Sequence, residues 1–126
     1  MELMSYRLTW EKNGVVFELS GIVTGREMIE TSREIARDPR RFGLKYQIVN
    51  FLNIERFEIT GEEVRTIAQL DKQISEEVPG VKVASVTRED VVKGLSRMYE
   101  LHGYESKWET EIFEDIESAR RWVESG

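Results

Sequence analysis

The 126 residues include no cysteine, one histidine and two prolines. Without a thiol there can be no disulfide framework, thiolate metal site or cysteine nucleophile. A single imidazole, His102, argues against a histidine-rich metal centre and against a catalytic triad. His102 falls seven residues after Leu95 and three after Tyr99, near the end of an expected helix, where a histidine is partly buried or held by the helix dipole. No apolar run approaches the roughly 20 residues of a membrane span, and Met1 to Ser5 lacks the basic start and apolar stretch of a signal peptide. A soluble, cytoplasmic chain is the expectation. Gly21 and Gly25 lack the third glycine of a dinucleotide fingerprint, and no Gly-Lys-Ser/Thr occurs, so no cofactor is expected.

Positive charge is also in short supply: 18 Lys and Arg face 24 Asp and Glu, a net charge of -6. Nucleic-acid binders gain affinity from clustered cations, so that class is disfavoured. The dense basic patch of Arg33, Arg37, Arg40 and Arg41 falls at a helix end, where cations complement the last carbonyls. Paired carboxylates at Glu62-Glu63, Glu76-Glu77 and Glu89-Asp90 sit near helix ends or on solvent sides, so no acid/base pair and no enzyme activity is expected from them.

What is present is a globular balance, 40% hydrophobic and 33% charged, at a length that suits one domain over 1–126. Tyr6 to Glu11 and Val15 to Leu19 alternate apolar and polar residues around Asn13-Gly14, which predicts a hairpin with a type I′ turn. Thr24 with Glu27 reads as a capping box for a helix bearing Met28, Ile29, Ser32, Ile35 and Ala36 on one face, stopped by Asp38-Pro39. Lys45 to Leu52 reads as a central strand, with 53–59 as a connector. Thr60 with Glu63 then caps a helix whose stripe is Val64, Ile67, Ala68, Asp71, Ile74 and Val78, ended by Pro79-Gly80.

Val81 to Val86 is a short strand, and Thr87 starts a helix with the stripe Val91, Val92, Leu95, Met98 and Tyr99, closed by Gly103. Trp108 to Phe113 and Ile116 to Val123 form the last strand and helix. The order β-β-α-β-α-β-α-β-α predicts an α/β fold with a mixed, mostly parallel sheet and an N-terminal hairpin.

Open parallel sheets bind ligands beyond the carboxyl ends of their strands. Here those ends carry Ser20 and Thr24, Asn50 and Asn53, then Ser85, Thr87 and Arg88. The candidate binding residues are Thr24, Asn50, Asn53, Thr60, Thr87 and Arg88. Each hydroxyl or amide also has a local explanation as a cap or turn residue.

Two segments resemble a known family. They are Tyr46-Gln47-Ile48-Val49-Asn50-Phe51-Leu52-Asn53 followed by Phe57-Glu58-Ile59-Thr60-Gly61, and the closing run Ile112 to Val123. With the element order and size, they are similar to the STAS fold of anti-sigma-factor antagonists, the SpoIIAA-like family, in its uncharacterised bacterial branch. The resemblance covers nearly the whole chain, and its motifs are structural. In that family a partner kinase phosphorylates a Ser or Thr at a helix start, which places Thr60 as the phosphoacceptor. Ile59 and Asn50 stand where the family has aspartates.

The resemblance implies a regulatory or protein-interaction domain, binding through the edge of Thr24, Asn53, Thr60 and Thr87. The alternative is a small-molecule or lipid carrier with an apolar ligand between a helix and the sheet, lined by Met28, Met98, Tyr99 and Trp108. A homodimer covering the sheet edge at Tyr6 is a further expectation.

Overall fold

The computed structural model describes residues 5–103 and 106–125. A β-hairpin, β1 (Ser5–Trp10) and β2 (Gly14–Thr24), opens a sheet that continues through β3 (Tyr46–Glu58), β4 (Lys82–Val86) and β5 (Glu109–Phe113). The spatial order is β1-β2-β3-β4-β5, antiparallel between β1 and β2 and parallel thereafter. The intervening helices are α1 (Gly25–Arg37), α2 (Gly61–Glu77), α3 (Asp90–His102) and, after β5, α4 (Ile116–Glu124). The mixed, mostly parallel α/β architecture expected from the element order is the observed one.

Strand periodicity divides the core in two. Val15 and Phe17 of β2 and Val83 of β4 pack on Ile35 of α1 and on Ile74 of α2, with Val78 beside it. Their neighbours Val16, Ile48, Ala84 and Val86 point the other way, onto Ala119 and Val123 of α4. A smaller cluster joins Leu19, Val23 and Phe51 to Val92 of α3. Helices α1 to α3 therefore share one face, and α4 covers the other. Parallel strands laid down in sequential order by crossovers of one hand must place their helices on one side.

A single helix covers a face poorly unless it is held at its ends. Arg120 of α4 forks onto Glu11, each guanidinium nitrogen 2.7 Å from one carboxylate oxygen, and the Tyr46 hydroxyl donates to the same carboxylate. The Arg120 hydrogen bonds hold the Glu11 carboxyl below the usual carboxylate range. Lys82 donates to the Trp122 and Ser125 carbonyls at 3.1 and 3.0 Å, and Phe113 meets Trp122 with ring centroids 5.6 Å apart.

Several elements differ from the sequence reading. The hairpin loop is Glu11 to Gly14, closed by Glu11 N–H to the Gly14 carbonyl at 2.7 Å, and neither Asn13 nor Gly14 has the positive φ of a type I′ turn. Gly14 serves close approach instead: a Cβ there would run into the Tyr46 ring.

Strand β2 does not end at Leu19 but continues to Thr24, passing register shifts on both sides of Gly21, whose φ is +74°. Residues 53–58, expected as a connector, are strand, because Asn53 to Glu58 pair in parallel with Ser20 to Thr24. Asn50 and Asn53 thus lie within β3, not at a strand end. Thr87 caps a turn, accepting from Glu89 N–H, while α3 begins at Asp90, and Val91 is 64% exposed instead of joining the α3 stripe.

Removal of the Arg120 fork tests how far the second face depends on it. Arg120→Ala should cost about 1–2 kcal/mol, since it strands a half-buried carboxylate, whereas Arg33→Ala at the exposed Arg33–Glu30 pair should cost under about 0.5 kcal/mol. Urea midpoints of the two variants decide; equal shifts would show that α4 is held by its apolar contacts alone.

Candidate functional site

The strands are of unequal length. Strands β2 and β3 run 11 and 13 residues, while β4 and β5 run five each. Beneath α1, α2 and α3 the sheet's inner face is therefore long on one side and short on the other, and the helices do not fill it. A cavity of about 90 Å³ remains, against the roughly 10–15 Å³ that one water requires.

Its walls are apolar: Phe17, Phe51, Phe57 and Val83 from the sheet side, Met28 from α1, Ile67 from α2 and Leu95 from α3. The Phe51 and Phe57 rings lie 5.3 Å apart, tilted by 31°.

Set into this wall are polar groups. Gln47 follows from strand alternation, since it occupies the β3 position whose neighbours Val49 and Phe51 face the helices. The residue is 5% exposed and its amide makes no hydrogen bond among the described residues, but it is not sealed off as the buried Arg41 Nε is, the side-chain atom that is fully buried without a partner. Ser85 of β4 lies diagonally from it on the same sheet face and is likewise without a partner among the described residues. Thr31 of α1 is satisfied, donating to the Glu27 carbonyl at 2.7 Å.

Asp71 of α2 is 8% exposed and accepts one hydrogen bond, from the Tyr99 hydroxyl of α3 at 2.6 Å. Burial pushes its carboxyl up to about 7, a rise that the Tyr99 bond partly offsets. Burial, followed by the adjacent Asp71 charge, pushes the Tyr99 phenol well above its ordinary value. Buried polar groups are nearly always paired, so an unpaired amide and a singly bonded carboxyl in one cavity mark it as a site.

The candidates read from the sequence are distributed differently. Thr24 caps α1, accepting from Glu27 N–H at 3.3 Å, but completes only half a capping box, since the Glu27 carboxylate takes the Thr24 hydroxyl proton rather than its backbone N–H. Thr60 makes the full box with Glu63 on α2. Thr87 is fully buried, Arg88 and Asn53 are exposed, and Asn50 accepts from Leu52 N–H at 2.9 Å.

Of the apolar residues expected around a ligand, Met28 and Tyr99 line the cavity and Met98 and Trp108 do not. Met98 lies over Gly61, and Trp108 is buried with its indole N–H on the Val78 carbonyl at 2.7 Å. Gln47 and Asp71 were not singled out, although a lone carboxylate inside an apolar helical stripe is a legible signal. His102 is exposed in the last turn of α3.

The Asp71 carboxyl makes stability depend on pH. Its folded pKa of about 7 lies above its ordinary 3.8, so between those values the folded chain binds more protons than the unfolded one and stability falls as pH rises. Wild type should lose about 2 kcal/mol relative to Asp71→Asn between about pH 5 and pH 8. Denaturant unfolding of both at each pH measures this, and parallel behaviour would show that Asp71 is ionised throughout.

No family model matches the chain, and no curated protein matches it. Among solved structures, it is similar to an uncharacterised DUF3478-family protein with a SpoIIAA-like fold from Shewanella loihica PV-4. The TM-score is 0.59 at 12% identity, over 95% of this chain and 93% of that one. At that identity the likeness concerns architecture: this chain has a SpoIIAA-like fold.

Proposed function

We propose that this chain is a non-enzymatic binding module whose cavity between the sheet and α1 to α3 takes a small, largely apolar molecule with one polar end. The observation that carries this reading is a largely apolar cavity into which the Gln47 amide and the Asp71 carboxyl are set together. An amide facing the cavity gives up hydrogen bonds that water would make, and a void forfeits the contacts its lining would otherwise make. A ligand removes both costs at once. Among the described residues, no three His, Asp or Glu side chains cluster to hold a metal ion, and no helix is long and apolar enough to cross a membrane.

Filling the cavity tests the reading. Ser85→Leu places an apolar group where the hydroxyl has no partner among the described residues, and should raise stability by about 1 kcal/mol while abolishing ligand uptake. Native mass spectrometry of both proteins should show a bound small molecule on wild type alone. A wild type that neither carries nor takes up a small molecule removes the reading.

A second reading, a protein-interaction module, is favoured by β3. Its pairing with β4 ends at Asn50–Val86, so residues 52–58 have no strand on that side among the described residues. Open edges accept an added strand, from a second copy or another chain. Thr60, exposed at the start of α2 just beyond this edge, remains the candidate for phosphorylation. If the edge pairs two copies, the amides in 52–58 that point away from β2 exchange quickly in dilute solution and slow as concentration rises; exchange independent of concentration eliminates self-pairing.

A further inference from the structure

Among the described residues, no cationic side chain lines the cavity. The lining is drawn from β2, β3, β4, α1, α2 and α3 and the segments beside them, yet its only ionisable side chains among the described residues are Asp71 and Tyr99, with no Lys, Arg or His. Behind Tyr99, Glu100 adds a second carboxylate, which raises the phenol further. A ligand carboxylate or phosphate would therefore be buried beside acidic groups with no countercharge, which is costly.

The hydroxyls of Ser32, Ser85 and Ser96 and the Gln47 amide can each donate or accept, whereas an ionised Asp71 carboxylate only accepts. Tyr99 uses its proton on Asp71, which leaves most of the carboxylate's accepting capacity open. The Gln47 side-chain carbonyl and the Ser85 hydroxyl, diagonal neighbours on the sheet, also accept and are unpartnered among the described residues. An alkylammonium offers three N–H donors and no acceptor, and the rings of Phe17, Phe51, Phe57 and Tyr99 present faces that attract a cation.

We propose that the cavity ligand is a small primary amine with an apolar body, its ammonium on Asp71, Gln47 and Ser85 and its apolar end among the phenylalanines. The assignment rests on the cavity reading above. It also gives the Asp71 carboxyl a counterion that none of the described residues lining the cavity supplies.

Three near-isosteric probes test it: phenethylamine, 2-phenylethanol and phenylacetate, titrated by calorimetry into the intact chain and into Asp71→Asn. The amine should bind tightest, weaken roughly 10- to 100-fold in Asp71→Asn, and tighten by up to about tenfold per pH unit as pH rises toward about 7, where Asp71 ionises. The alcohol should be nearly indifferent to both changes.

Equal binding of alcohol and amine, or preference for phenylacetate, overturns the amine while leaving the cavity in place. Failure of all three to bind wild type, with its cavity unfilled, overturns the cavity reading as well. Because the probe ranking and its pH dependence are read on wild type, they hold even if Asp71→Asn folds poorly.

Discussion

The strand order constrains everything else in this molecule. Laying β2, β3, β4 and β5 side by side in chain order forces α1, α2 and α3 onto one face of the sheet. The opposite face is left to α4, which succeeds because its apolar stripe of Ala119 and Val123 is pinned by Arg120 on Glu11 and by Lys82 on the helix's last carbonyls. One face is thus tightly closed by a single clamped helix. The other is roofed by three helices whose spacing is set by connections and strand lengths rather than by complementary filling.

That difference explains where the cavity lies. The register shifts around Gly21 let β2 stay paired with β3 well beyond the last residues of β4, so the inner surface continues past the end of β4. Phe51 and Phe57, on the extended part of β3, help line the space. The same extension creates the open edge of β3. Cavity and edge are two consequences of one feature, so a ligand that tightened the packing around Phe51 and Phe57 would act on the segment a partner strand would use.

Most of the architecture was legible in the sequence because it rests on local signals: the Thr60–Glu63 box, Asp38-Pro39 and Pro79-Gly80 all lie where they were read. The errors share a cause. Residues 53–58 are too polar to read as strand, and become one only through a partner 33 to 34 residues earlier in the chain. The type I′ turn failed for a similar reason: Gly14 answers to the Tyr46 ring, a tertiary contact, rather than to turn geometry. The candidate site was harder still. Hydroxyls at helix starts advertise themselves in sequence but are mostly spent on caps, whereas Gln47 acquires meaning only when helix and sheet enclose it, and Asp71, legible as a carboxylate in an apolar stripe, only when Tyr99 proves its one hydrogen-bond partner among the described residues.

A core carboxylate with one hydrogen bond and an amide with none are not what packing alone would select. Replacing a buried polar pair such as Asp71 and Tyr99 with apolar residues of similar volume is commonly neutral or stabilising, and filling a void recovers dispersion contacts. Elsewhere the fold follows those preferences: on the α4 side the inward residues are apolar, and the Glu11 carboxylate is matched by Arg120 and Tyr46. Apart from the buried, unpartnered Nε of Arg41, the departures from good packing named above meet in one cavity, on residues from three different elements, β3, β4 and α2. When a sequence that satisfies its core rules elsewhere breaks several of them at one point, that point is the first place to look for function.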